Sequence, residues 1–166
     1  FSVATEVGRL LRSVIEERQA ANGDRGRGRF TATINLAGQI DGMEPRLFMI
    51  YPEGNFIEAS WDTPFFQIGE TKYGRPILIR GYDKDMSFED AVKLLMVSFD
   101  STLKANLSVG LPLDLMVIAK DGFAATHQHR ITAEDPYFGT ISSGWGDALK
   151  SAFVSLPDYS MESPQG

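Results

Sequence analysis

From Phe30 to Asp41 the residues follow a period of two: Phe30, Ala32, Ile34, Leu36, Gly38 and Ile40 alternate with Thr31, Thr33, Asn35, Ala37, Gln39 and Asp41. A period of two places successive side chains on opposite faces of a strand, so one face is covered and the other is wet. Such half-buried strands belong to antiparallel sheets, and the turn signals that follow agree. Asp41-Gly42 ends the strand, and Arg46 to Tyr51 and Phe56 to Ser60 flank Pro52-Glu53-Gly54-Asn55, which predicts a three-stranded meander. Phe65 to Ile68 reads as a fourth short strand after Pro64.

Helical periodicity brackets these strands. Val3, Val7, Leu10, Leu11, Val14 and Ile15 form one apolar stripe, with Ser2 as candidate N-cap and Asn22-Gly23 as the stop. Gly23 to Arg29 holds neither helix nor strand and reads as a loop. Thr71 to Gly81 is a short helix interrupted by Pro76. A longer helix runs from Ser87, spaced to Asp90 as in a capping box, and carries Phe88, Val92, Leu95, Met96, Phe99 and Leu103 before Gly110 and Pro112 close it. Leu113 to Ala119 is an apolar strand stopped by Asp121-Gly122. The final helix spans about Gly144 to Leu156, with Trp145, Leu149, Ala152, Phe153 and Leu156 at helical spacing, and residues 157–166 form a polar tail. The order of elements is α+β, in one domain over residues 1–156.

Composition narrows the function. The 166 residues contain no cysteine, which excludes disulfides, thiol nucleophiles and thiolate metal sites and fits a reducing cytoplasm. A net charge of −6 argues against a broad nucleic-acid or acidic-membrane surface. No run of 18 apolar residues and no signal-peptide pattern occurs. The chain starts at Phe1, directly on a helix, which is the expectation for a processed chain or one lacking a front piece.

No catalytic constellation emerges from spacing alone. The Arg25 to Arg29 loop, without aromatic partners, reads as solvated, and its Gly23-x-x-Gly26-x-Gly28 order lies between helix and strand rather than strand and helix. His127 and His129 stand near Asp121, Glu134 and Asp135, but two imidazoles on a Gln-containing loop without a rigid third ligand favour solvent over metal. Asn106-Leu107-Ser108-Val109-Gly110 resembles the end of a nucleophile elbow, yet it follows a helix and precedes a strand, the reverse of what that device needs. Ser108 then reads as a helix-terminal hydrogen-bonding residue. The pairs Glu16-Glu17, Asp83-Asp85, Glu89-Asp90 and Glu134-Asp135 fall on polar faces or ends of helices.

Longer strings carry a resemblance. Asn35-Leu-Ala-Gly-Gln-Ile, Arg46-Leu-Phe-Met-Ile-Tyr-Pro-Glu-Gly-Asn-Phe-Ile-Glu-Ala, Phe66-Gln-Ile-Gly-Glu-Thr-Lys-Tyr-Gly-Arg-Pro-Ile-Leu and Ser98-Phe-Asp-Ser-Thr-Leu-Lys-Ala-Asn-Leu-Ser-Val-Gly-Leu-Pro-Leu-Asp-Leu resemble the later part of Anbu, the bacterial proteasome-related peptidase family, over roughly Ser2 to Leu156. The resemblance implies a proteasome-like sandwich of antiparallel sheets flanked by helical layers (αββα), lacking its N-terminal third. It implies a self-compartmentalising, cytoplasmic homo-oligomer acting on peptides or unfolded protein, with no cofactor, no metal, no nucleic acid and no membrane. In such enzymes a hydroxyl-bearing first residue, usually Thr, attacks the peptide carbonyl with its own amine as base. Phe1 has no hydroxyl, and the family's nucleophile, Asp and Lys lie on early strands without a counterpart here. The matching support segments are Gly69-Glu70-Thr71 and Ala105 to Ser108. Ser108 fits the family's supporting serine, Ala105 or Asn106 stands where an Asp is expected, and Glu70 replaces a Ser. A non-catalytic scaffold or assembly subunit is the alternative, and the helix stripe of Trp145, Leu149, Phe153 and Leu156, with the helix Ser87 to Leu107, is the candidate contact with a second copy.

Overall fold

The computed structural model describes residues 1–22 and 30–161. The chain divides into two compact units, Phe1–Thr71 with Val117–His127, and Lys72–Met116 with Gln128–Gly166. The predicted loop of residues 23–29 lies outside the described residues.

In the first unit, helix α1 spans Ser2–Asn22. The Phe1 carbonyl accepts the first helical bond from Thr5 N–H at 2.9 Å, so Ser2 opens the helix instead of capping it. The predicted stripe is wider than the buried face: Ala4, Leu11 and Ile15 are buried, whereas Val3, Leu10 and Val14 are exposed. Strands β1 (Ile34–Gly38), β2 (Arg46–Ile50) and β3 (Phe56–Glu58) form the expected antiparallel meander in that order. β1 is shorter than its alternating pattern because only Ile34 to Gly38 finds partners on β2, from Ile34 opposite Ile50 to Gly38 opposite Arg46. Ile50 is fully buried and joins Leu11 and Ile15 in a core flanked by Ile34, Leu36 and Phe56.

The two turns of the meander require glycine. Gly42 (φ 74°) closes the turn in which Met43 N–H bonds the Ile40 carbonyl, and Gly54 (φ 87°) closes the β2–β3 turn. Gly54 also meets α1 backbone to backbone: a Cβ on Gly54 would lie 2.8 Å from the Gly8 carbonyl oxygen, and one on Gly8 would overlap the Gly54 carbonyl. The strand predicted over Phe65 to Ile68 is absent. That segment is irregular, and Gln67 Nε2 instead bonds the Glu70 carbonyl at 3.3 Å ahead of the left-handed Gly69–Glu70 bend. The later stretch 117–127 is tied to β1 by Gln39, whose Nε2 donates to Asp121 Oδ1 at 2.6 Å and whose Oε1 accepts Asp121 N–H at 2.7 Å.

In the second unit, α2 spans Arg75–Gly81 with Pro76 in its first turn, where a missing N–H costs nothing; Pro76 starts this helix and does not interrupt it. α3 spans Phe88–Ala105, capped as expected by Ser87, whose Oγ accepts Asp90 N–H at 3.1 Å. It ends at Ala105 with Asn106 as its cap, short of the predicted Leu107. β4 (Leu113–Val117) pairs with β5 (His127–Ile131), so the two histidines sit on a strand and not on a loop. α4 spans Pro136–Val154, beginning eight residues before Gly144, because Asp135 supplies a side-chain cap to Phe138 N–H and Pro136 follows it at the first helical position. Met96, Ile131 and Phe138 form this unit's core, with Val92, Leu103, Leu113, Leu115 and Ile141 packed around them.

Candidate functional site

Ser108 lies on the turn between α3 and β4, and its surroundings are local. Asn106 caps α3 through its N–H to the Thr102 carbonyl at 2.9 Å. Its side-chain Oδ1 then accepts two bonds from Ser108, one from N–H at 2.9 Å and one from Oγ at 2.7 Å. Val109 N–H closes the turn on the Asn106 carbonyl at 3.2 Å. An amide oxygen is no base, so this contact does not activate Ser108 as a nucleophile. The hydroxyl oxygen keeps lone pairs that can accept from an incoming donor such as an amine, and the side chain is exposed.

The other support segment belongs to the first unit. Gly69 has φ 81°, so the bend there requires glycine, and it carries Glu70 half-buried. Ala105 ends α3 and offers only a methyl group.

His129 Nε2 contacts Asp135 Oδ2 at 2.7 Å, while Asp135 Oδ1 accepts Phe138 N–H at 2.8 Å. The Phe138 amide, and secondarily His129, hold the Asp135 carboxyl below the usual carboxylate range. The imidazole therefore braces the α4 cap. Among the described residues no group of three or more His, Asp or Glu is placed to hold a metal ion. The acidic pairs likewise serve local structure: Asp83 accepts Asp85 N–H, Asp90 pairs Lys93 at 2.6 Å, and Glu16 pairs Arg12 at 3.7 Å.

Sequence reasoning missed three buried polar side chains on α3, Ser98 and Thr102 on one face and Asp100 on another. Ser98, Asp100 and Thr102 are all at most 4% exposed. A Cβ on Gly74 would lie 3.0 Å from Thr102 Oγ1 and 3.1 Å from the Ser98 carbonyl, so the start of α2 packs onto Ser98 and Thr102 only as glycine. Lys104 joins Asp100 Oδ2 at 2.9 Å to the Ser142 carbonyl of α4 at 3.2 Å. The available signal was Ser98 and Thr102, four apart and so on one face of an otherwise apolar helix. A second missed feature is a groove of about 820 Å³ between α2, α3 and α4, walled by Ile77, Leu94, Val97, Trp145 and Leu149.

Comparison with known proteins places these elements in context. A family model described as "Proteasome subunit" matches residues 4–118. Anbu (ancestral beta-subunit) from Yersinia bercovieri is 46% identical with a TM-score of 0.86, over 96% of this chain and 65% of that one. The helical assembly of the Anbu complex from Pseudomonas aeruginosa gives 38% identity and a TM-score of 0.87, over 96% and 66%. A proteasome subunit beta of Methanocaldococcus jannaschii is 34% identical over 88 residues, 52% of this chain and 38% of that protein. The chain thus spans about two fifths of the curated relatives and about two thirds of the Anbu chains it matches. Among the described residues no helix is long and apolar enough to cross a membrane.

Proposed function

Because the chain belongs to the proteasome subunit family and has the proteasome fold, we propose that it is the later part of a subunit of an Anbu-type, self-compartmentalising peptidase. The observation that carries this reading is a 46% identity sustained, with a TM-score of 0.86, along 96% of the chain. Residues 1–156 then act as one domain within a cytoplasmic homo-oligomer that admits peptides or unfolded protein. Peptide-bond hydrolysis proceeds from an N-terminal Thr-type nucleophile outside this sequence. Its hydroxyl attacks the carbonyl while its own amine takes the proton, and no cofactor enters. Ser108 accepts a hydrogen bond from that amine, a part its exposed hydroxyl oxygen suits.

The competing reading is a scaffold subunit of the same fold without chemistry. One observation favours it: Ala105 brings no carboxylate to the support segment. Hydrolysis of fluorogenic peptides by the full-length protein separates the two. The peptidase reading expects activity that falls at least tenfold in kcat on Ser108→Ala, with the melting temperature unchanged. Absence of hydrolysis from an assembled, correctly processed protein would favour the scaffold.

A further inference from the structure

The C-terminal end of α3 carries a buried charge that apolar packing does not explain. Asp100 is 3% exposed, and a carboxylate taken out of water is unfavourable unless a partner answers it. Its partner is Lys104, one turn further along, whose Nζ stands 2.9 Å from Asp100 Oδ2. The same ammonium donates to the Ser142 carbonyl of α4 at 3.2 Å. A carbonyl oxygen has a second lone pair to offer, so a carbonyl inside a helix can accept this extra bond. A pair four residues apart that served α3 alone would end at the carboxylate; this one reaches across to a second helix.

The opposite side of the same two turns is held as well. Thr102 Oγ1 donates to the Ser98 carbonyl at 3.0 Å, and Gly74, the residue that opens α2, lies so close to both that a Cβ there would clash. The end of α3 is therefore gripped by α2 on one side and by α4 on the other, with Leu103 packed into the core of the unit. The turn that carries Ser108 follows directly. Asn106 N–H bonds the Thr102 carbonyl at 2.9 Å, and Asn106 Oδ1 accepts from Ser108 N–H at 2.9 Å and from its Oγ at 2.7 Å. All of these groups belong to one compact unit.

We infer that Asp100 and Lys104 are positioning residues: together they lock the last turn of α3 onto α4 and thereby fix the place of Ser108. This deepens, and rests on, the reading in which Ser108 accepts a hydrogen bond from the amine of the nucleophile. A hydrogen bond of that kind weakens steeply with distance and angle, and a shift of about 1 Å in a supporting group is enough to cost a large factor in rate.

The full-length protein is assayed by hydrolysis of fluorogenic peptides and by hydrogen–deuterium exchange over residues 103–110, with α1 as the internal reference. Lys104→Met keeps the apolar stem and removes the ammonium. It is expected to lower kcat about tenfold with KM unchanged, and to speed exchange over 103–110 about tenfold while α1 exchanges as in the parent. It also leaves Asp100 buried without its partner. A double variant, Asp100→Ala with Lys104→Met, removes both charges and is expected to recover the melting temperature, whereas its kcat and exchange stay where Lys104→Met puts them. Added to Ser108→Ala, Lys104→Met is expected to lower kcat no further, because it acts through Ser108. A Lys104→Met chain that unfolds is replaced by the double variant in every comparison.

Recovery of kcat together with the melting temperature in the double variant overturns the inference, since the pair then supplies stability alone. Losses that multiply in the Ser108→Ala background overturn it as well, as does exchange over 103–110 at the parent's rate in both variants. A parent that hydrolyses no peptide overturns the peptidase reading and, with it, the role toward the amine; exchange over 103–110 then decides by itself whether the pair holds the turn.

Discussion

Replacing Gly8 with Ala tests whether α1 is positioned by backbone contact with the β2–β3 turn. In the interior of a helix this change ordinarily stabilises by about 1 kcal/mol, because glycine has the greater freedom to lose. Here the new methyl group would overlap the Gly54 carbonyl oxygen and stand 3.0 Å from its carbon. The carbonyl cannot swing aside: Gly54 is held at φ 87°, its N–H bonds the Tyr51 carbonyl, and Tyr51 N–H bonds the Asn55 carbonyl, both at 2.9 Å. Relief requires lifting α1, which loosens Leu11 and Ile15 from Ile50. Overpacking of this kind costs about 3 kcal/mol, and after the propensity gain the net loss is about 2 kcal/mol. At ~2–4 °C per kcal/mol for a chain of this size, the melting temperature falls by about 4–8 °C. The matched control is Gly139→Ala on α4, where a Cβ meets nothing within 4 Å, and which gains about 1 kcal/mol. Thermal unfolding followed by circular dichroism reads both. If Gly8→Ala melts at or above the parent, as the control does, the close approach of α1 to the turn does not exist in solution.

Ser87→Ala removes the α3 cap and should lower stability by about 1 kcal/mol in urea titration with an unchanged m-value. Gly74→Ala should lower the melting temperature, and adding Ser98→Ala, which removes the nearest obstructing hydroxyl, should return part of the loss. Acid sensitivity follows from carboxylates held below their ordinary range: Asp135 chiefly by the Phe138 amide, Glu58 by Arg46, and Asp90 by Lys93. A depressed folded-state value adds stability above the unfolded value near ~4, and that stability disappears as pH falls through the lower folded value. Melting temperatures should therefore drop steeply below about pH 4, and Asp135→Asn should flatten part of that slope; an unchanged slope would show that the Asp135 carboxylate contributes nothing there.

The elements most legible in the sequence were those fixed by contacts close in the chain. Ser87 with Asp90 and Asp41-Gly42 each carry their own geometry, and both stand where expected. The α4 start was missed although Asp135-Pro136 is as local a signal, because Gly139, Gly144 and Gly146 dilute the helical propensity that follows it. β5 was invisible for a different reason. His127-Gln-His-Arg has four exposed positions and only Ile131 buried, so its strand conformation comes from pairing with β4 and not from an apolar pattern. The α+β class follows from the order of periodic elements, whereas the αββα sandwich and the family rest on long residue strings, whose information lies in identity and not in periodicity. Ser108 was readable as a turn residue from its place after α3, but its link to Asn106 Oδ1 depends on where the helix stops, two residues before the predicted end.

The interleaving of the two units has a temporal side. The first unit consists of Phe1–Thr71 and Val117–His127, so emergence of residue 71 from the ribosome leaves it unfinished. Gln39 must wait for Asp121, 82 positions later, and Glu44 for Lys120, 76 positions later. At ~5–20 residues per second the last 56 residues separating Thr71 from His127 take roughly 3–11 s to appear. Over that interval β1–β2–β3 and α1 exist without their closing segment, long after hairpins and helices have formed on microsecond scales. A nascent chain of this design spends seconds with the first unit's meander and helix formed but its last segment missing, the period in which a ribosome-bound chaperone would find the unfinished unit.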